Sequence, residues 1–167
     1  SRSVQGQLKN VRGIQATGCA FAAILDDGSV VTWGTSALGG DSSSVEAQLK
    51  NVQHIQATPG AFAAIREDGS VVTWGHPEYG GDSRSVQGQL KNVRGIQATG
   101  CAFAAILDDG SVVTWGDSSY GGDSSTVQGQ LKTVQHIQAA QRAFAAILDD
   151  GSVVTWGDSS YGGDSST

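Results

Sequence analysis

Apolar and polar positions follow one short score along this chain and then repeat it. In its first statement, "VRGIQA" (Val11 to Ala16) is a brief β-like run ended by the turn residues "TGC". "AFAAIL" (Ala20 to Leu25) then alternates, with Phe21, Ala23 and Leu25 on one face and Ala20, Ala22 and Ile24 on the other. Asp27-Gly28 supplies a hairpin turn, because glycine takes a positive φ without steric cost. "VVTW" (Val30 to Trp33) returns with Val31 and Trp33 on one face. Strand parity asks for one more crossing before the next unit begins. "SVEAQLKN" (Ser44 to Asn51) is the segment available for it and is expected as a fourth strand, although Val45, Leu49 and Val52 also suit one face of a helix.

The score is played four times. Trp33, Trp74, Trp115 and Trp156 stand 41 residues apart without insertion or deletion. A fixed period of this size marks a solenoid or propeller and outranks any local reading. The units are 1–41, 42–82, 83–123 and 124–164 in one repeat domain, and residues 165–167 begin a further unit. Agreement is deeper at twice the period: Ser1 to Gly34 is identical to Ser83 to Gly116, and units two and four share "VQHIQA". A small antiparallel sheet with both faces partly apolar must bury them against a neighbour. Alanines on one face let the next sheet approach, and Phe21, Trp33, Phe62, Trp74, Phe103, Trp115, Phe144 and Trp156 are the expected core filling. The expected fold is all-β, a propeller of four near-identical antiparallel blades. Stacked solenoid coils compete with it, but "DDGS" hairpins favour meanders over coils.

The pattern "I-x-A-x-x-x-x-F-A-A-I-x-x-D-G-S-V-V-T-W-G-x-x-x-Y-G" resembles the repeat of the regulator of chromosome condensation family. That resemblance implies a propeller whose blades close on an Asp-Gly hairpin and a Trp-Gly pair, seven of them in the family. "WGDSSYGG" (Trp115 to Gly122) is also similar to the compact blades of the propeller-type β-lactamase inhibitory protein. Two departures stand out: Thr17, Thr58, Thr99 and Ala140 occupy a slot where the family often has glycine, and Ala20, Ala61, Ala102 and Ala143 one where it often has histidine. No insertion resembles the wedge through which the founding member acts on its GTPase, so nucleotide exchange is not implied. Neither is β-lactamase inhibition.

Composition narrows the chemistry. Ten basic against 16 acidic side chains give a net charge of −6, which repels phosphate and makes nucleic acid a poor partner. No run is long and apolar enough to span a membrane, and the first residues lack a signal-peptide stretch. Together with Cys19 and Cys101, which share one slot in non-neighbouring units and are expected as free thiols, this suits a soluble intracellular protein. Histidines are confined to His54, His76 and His136, no serine departs from its repeat copies, and no enzyme is expected. "GGDSS" and "DDGS" lack calcium-loop spacing and read as Asx turns, so no cofactor or metal is expected.

What remains is where the copies disagree. The first turns ("TGC", "TPG", "TGC", "AQR") and the loops after each Trp fall at one end of the meander, while the "DDGS" turns form a nearly constant acidic rim opposite. Leu38, His76, Glu78, Tyr79, Tyr120, Arg142 and Tyr161 are the candidate binding residues of the variable rim. Two readings stand: drift in unconstrained loops, or a binding face carried by a rigid scaffold. The corresponding function is a structural or protein-interaction propeller. The alternative is a glycan- or small-molecule-binding propeller that stacks a ligand on Tyr79, Tyr120 and Tyr161. Open ends would leave apolar faces uncovered, so homo-oligomer formation is expected, most simply two chains making an eight-bladed ring, with further repeats of a longer chain as the other occupant.

Overall fold

The computed structural model describes residues 3–166; Ser1, Arg2 and the Thr167 that extends the incipient further unit lie outside them. Twelve strands form four separate three-stranded antiparallel sheets in chain order. Unit one holds β1 (Val11–Ala16), β2 (Ala20–Leu25) and β3 (Val30–Gly34). Unit two holds β4 (Val52–Ala57), β5 (Ala61–Arg66) and β6 (Val71–Gly75). Unit three holds β7 (Val93–Ala98), β8 (Ala102–Leu107) and β9 (Val112–Gly116), and unit four β10 (Val134–Ala139), β11 (Ala143–Leu148) and β12 (Val153–Gly157). The first strands β1, β4, β7 and β10 lie against one another in succession, so they form the inner edge of each blade, and β3, β6, β9 and β12 form the outer edge. This is a β-propeller arrangement of four blades.

The expected fourth strand is not formed. The segment after each loop crosses back as a turn and a short 3-10 turn, Glu46–Gln48 in its first full copy and Gln87–Gln89 and Gln128–Gln130 after it. A strand needs alternation, whereas here single leucines (Leu49, Leu90, Leu131) plug inward and are buried. Side chains then cover the outer edge that a fourth strand would have paired. Thr73 Oγ1 lies 2.8 Å from Ser83 Oγ, Ser83 Oγ donates to Gln87 Oε1 at 3.0 Å, and Gln87 Nε2 donates to Val71 O at 3.0 Å. Thr114, Ser124, Gln128 and Val112 repeat the chain of bonds one unit later. An edge blunted in this way is not free to pair with another strand.

Packing between blades follows from the alternation along the middle strand. Ala20, Ala22 and Ile24 of β2 pack on Phe62, Ala64, Val72 and Trp74 of unit two, and the same contact recurs at the next two junctions. Phe62 sits opposite Trp74 across the β5–β6 ladder, and the two rings stack at 5.1 Å. Burying each such phenylalanine stabilises the fold by about 1.5–3 kcal/mol. Phe62, Phe103 and Phe144 are at most 1% exposed, and Trp74, Trp115 and Trp156 are buried with them. Phe21 differs: it is 45% exposed, and its partner Trp33 is only half-buried, because among the described residues no blade packs on that face. At the other end Ile147 (45%) and Val153 (53%) stand open where their interior counterparts are buried.

Each inner strand carries a β-bulge at its second residue, between Val11 and Gly13 and at the matching places in β4, β7 and β10. A bulge turns the extra side chain out of the ladder. Arg94 uses this to reach the next blade, where its Nη2 donates to Val134 O at 2.6 Å. Arg12 makes the same bond to Val52 O. Both cysteines are free thiols.

Candidate functional site

The variable rim is assembled from two loops per blade. After the Trp-Gly pair the chain makes one 3-10 turn, Ser36–Leu38, Pro77–Tyr79, Ser118–Tyr120 and Ser159–Tyr161 in the four units. The loop is fastened to the first turn of its own blade by a backbone bond, such as His76 N–H to Gly60 O and Asp158 N–H to Arg142 O, both 2.9 Å. The threonine slot adds a second fastening. Thr58 Oγ1 accepts from Ala61 N–H at 3.0 Å and donates to Tyr79 O at 2.8 Å, and Thr99 donates to Tyr120 O at 2.8 Å. Thr17 does the same to Leu38 O at 3.0 Å. Unit four has Ala140 there and lacks the hydroxyl.

Two groups of candidate residues come together on this rim. At the first junction, a Cβ on Gly60 would fall 2.8 Å from the Tyr79 ring and 3.2 Å from Leu38 of unit one, so the two side chains close over this glycine. His76 meets Tyr79 edge-on at 5.5 Å, and its Nδ1 accepts from Glu78 N–H at 3.2 Å, capping the 3-10 turn. Asp117 and Asp158 perform this capping in units three and four, each accepting at 2.8 Å. His76 is therefore a stand-in for a capping aspartate, and Glu78 stands exposed at the crest. At the last junction, the Arg142 guanidinium lies over the Tyr120 ring at 4.7 Å and over the Tyr161 ring at 5.1 Å, with Asp158 Oδ2 3.7 Å from its Nη1. Such cation–π contacts stabilise by about 0.5–1 kcal/mol each at partly exposed sites. Arg142 thus gives this loop a second hold where Ala140 lacks the hydroxyl. Burial, more than the nearby Asp117 charge, pushes the Cys101 thiol up beside this group.

The first turns also touch across blades. Gly18 N–H donates to Pro59 O and Gly100 N–H to Gln141 O, both at 2.8 Å. Pro59 has no N–H to pass the bond on to unit three, so the rim is stitched in pairs, one with two and three with four. Thr17, Thr58, Thr99, Arg12 and Arg94 were not among the sequence candidates. Their signal was the departure from the family pattern for the threonines and, for the arginines, recurrence only in units one and three.

On the opposite rim the Asp and Ser side chains bond within their own turns, while the hairpin glycine carbonyls accept from the next blade. Asp27 Oδ1 accepts from Ser29 N–H at 2.9 Å and Ser29 Oγ at 2.6 Å, an Asx turn, and Asp68, Asp109 and Asp150 repeat it. These bonds hold each of the four carboxyls below the usual range. Arg66, which stands where the other units end this strand in leucine, is half-buried and donates from Nε to Lys50 O at 3.2 Å. Among the described residues no group of three or more His, Cys, Asp or Glu is placed to hold a metal ion. Among the same residues no helix is long and apolar enough to cross a membrane.

No family model matches the sequence, and no curated protein matches it. Solved structures do. The chain is similar to yeast RCC1 (Prp20), solved bound to Kap60, with a TM-score of 0.66 at 15% identity over 92% of this chain and 45% of that one. Human WBSCR16 matches with a TM-score of 0.56 at 19% identity, over 88% of this chain and 47% of that one. The ectodomain of the Physcomitrella patens receptor kinase CR4 matches at 0.61 and 16% identity, over 88% and 41%. The chain spans under half the length of these three proteins. These likenesses are of fold, and the chain has the fold of an RCC1-like β-propeller.

Proposed function

We propose that this chain is a non-catalytic scaffold for protein–protein interaction, with its contact face on the variable rim. The observation that carries the reading is the division of labour between the rims. The constant hairpin rim spends its Asp and Ser side chains on its own turns and its glycine carbonyls on the next blade, whereas the variable rim mounts differing side chains on loops that three of the four units fasten at both ends. A rigid backbone under varied side chains is the economy of a recognition surface. Yeast RCC1, whose fold it shares, is held by Kap60 in its crystal structure, which supports a protein as the class of partner. The glycan reading is weaker, because Arg142 already occupies faces of Tyr120 and Tyr161 that a sugar would need. The open end faces add self-association to the scaffold's partners.

The test compares the wild type with a levelled rim carrying Leu38→Tyr, His76→Asp, Pro77→Ser, Glu78→Ser and Arg142→Cys, which places the unit-three residue at each of these five positions. A protein partner should be retained by the wild type and lost by about tenfold or more on the levelled rim, the effect of removing one good contact. Equal capture by both removes the rim as the contact face. Equal binding of both to a glycan array would favour the alternative.

A further inference from the structure

We infer that the two ends of this chain are the two halves of one interface, and that two copies join head to tail into a closed eight-bladed ring. The inference deepens the self-association just proposed and is independent of what the rim binds. It rests on a junction that the molecule displays three times in its interior. In each, a buried Trp donates from Nε1 to a loop carbonyl of the preceding blade: Trp74 to Gly39 O, Trp115 to Gly80 O and Trp156 to Gly121 O, at 3.0–3.1 Å. The same loop glycine lies flat under the next phenylalanine, where a Cβ on Gly80 would fall 2.7 Å from the Phe103 ring. At the inner edge the first residue of a blade donates to the hairpin glycine before it, Val52 N–H to Gly28 O, Val93 N–H to Gly69 O and Val134 N–H to Gly110 O, at 2.8–2.9 Å.

Carried on by one unit, the series names its own continuation. Unit one presents Trp33, Phe21, Ile14 and Val11 on an open face, and unit four presents the loop at Gly162 and the hairpin at Gly151 beside Ile147 and Val153. A Cβ on Gly162 or Gly151 would meet nothing, unlike its counterpart in the earlier units. In the ring, Trp33 Nε1 donates to the second copy's Gly162 O, Phe21 covers that glycine, and Val11 N–H donates to the second copy's Gly151 O. The contact is heterologous, and two copies are the smallest number that closes it with every face used. An apolar face of this kind left open would be a standing site of association.

Sedimentation equilibrium of the 167-residue chain tests this. The expected species has twice the 17.1 kDa chain mass. A monomer, an open polymer or any other stoichiometry overturns the inference, and a monomer would leave the faces to flanking units of a longer chain. Two variants fix the geometry, Phe21→Asp on the front face and Val153→Asp on the back, both at positions exposed in a single copy and so compatible with folding. Each alone should be monomeric and keep the wild-type circular dichroism, with self-association weakened about a hundredfold or more by burying an unpaired carboxylate. Mixed, they should pair through the one junction left intact, the back of the first against the front of the second. Self-pairing of either variant would mean like faces meet, and would overturn the head-to-tail contact.

Discussion

A glycine and a phenylalanine one blade apart set the spacing of the whole array. Gly80 has φ +92°, in the left-handed region that side chains avoid, and Phe103 leaves no room for a methyl group above it. Gly80→Ala therefore meets two penalties, backbone strain and overpacking against an aromatic ring, for a combined cost of about 2–4 kcal/mol. Gly162 has the same backbone, φ +95°, but nothing overhead in a single copy. In the Phe21→Asp background, where the end face stays open, Gly162→Ala should cost only about 1 kcal/mol from strain. Urea unfolding of the two variants measures the difference, and equal costs would show that Phe103 is not what constrains Gly80. At this scale the sequence was readable for the Phe and Trp pairs, since alternation put them on one face. It was not readable for Thr58 and Thr99, whose buried hydroxyls serve a loop 21 residues away. A lone threonine after a strand looks like any turn residue until the loop it fastens is in place.

The element that sequence reasoning placed wrongly is the return segment, and the error has a physical source. Parity requires the chain to cross back but does not say in what conformation. Residue spacing there fits a helical turn better than a strand, and the leucine plug with its side-chain bonds satisfies the outer edge without a ladder. The copies differ in one informative place. Gln87 and Gln128 donate to the carbonyls of Val71 and Val112, but the corresponding residue at the first junction is Glu46, whose carboxylate cannot donate to the equivalent carbonyl of Val30. Glu46→Gln should supply that bond and raise stability by about 0.5–1.5 kcal/mol, while Gln87→Ala should lower it by a similar amount. Thermal or urea midpoints decide the matter, and an unchanged midpoint for both would show that the edge is adequately covered by Thr–Ser pairs alone. The strands themselves, by contrast, were legible from period and punctuation, because hairpin signals and β-branched runs agree with the tertiary arrangement at every copy.

At the scale of the molecule, repetition turns a small local effect into a collective one. Asp27, Asp68, Asp109 and Asp150 in the hairpins, and Asp41, Asp82, Asp123 and Asp164 in the loops, all titrate below the ordinary 3.8 because their carboxylates accept bonds from residues two positions on. Asp82 is lowered furthest, to about 2, by the Arg84 guanidinium hydrogen-bonded to it at 2.8–2.9 Å. A carboxyl depressed on folding binds fewer protons in the native than in the unfolded chain. Its stabilisation is complete above the unfolded value and disappears as pH falls through the folded one. Eight such groups act in the same direction, so stability should fall steadily from about pH 4 towards pH 2. The net charge of −6 at neutral pH vanishes near the isoelectric point of about 4.8 and grows positive below it, so titration with added salt separates the two effects, since salt screens general repulsion far more than a bond within a turn. Replacing the four hairpin aspartates with asparagine keeps an oxygen that accepts the Ser N–H but removes the titration. That variant should show a shallower loss of urea midpoint across the same pH range than the wild type. An identical slope would assign the acid sensitivity to charge at large and leave the turns, despite their fourfold repetition, without a part in it.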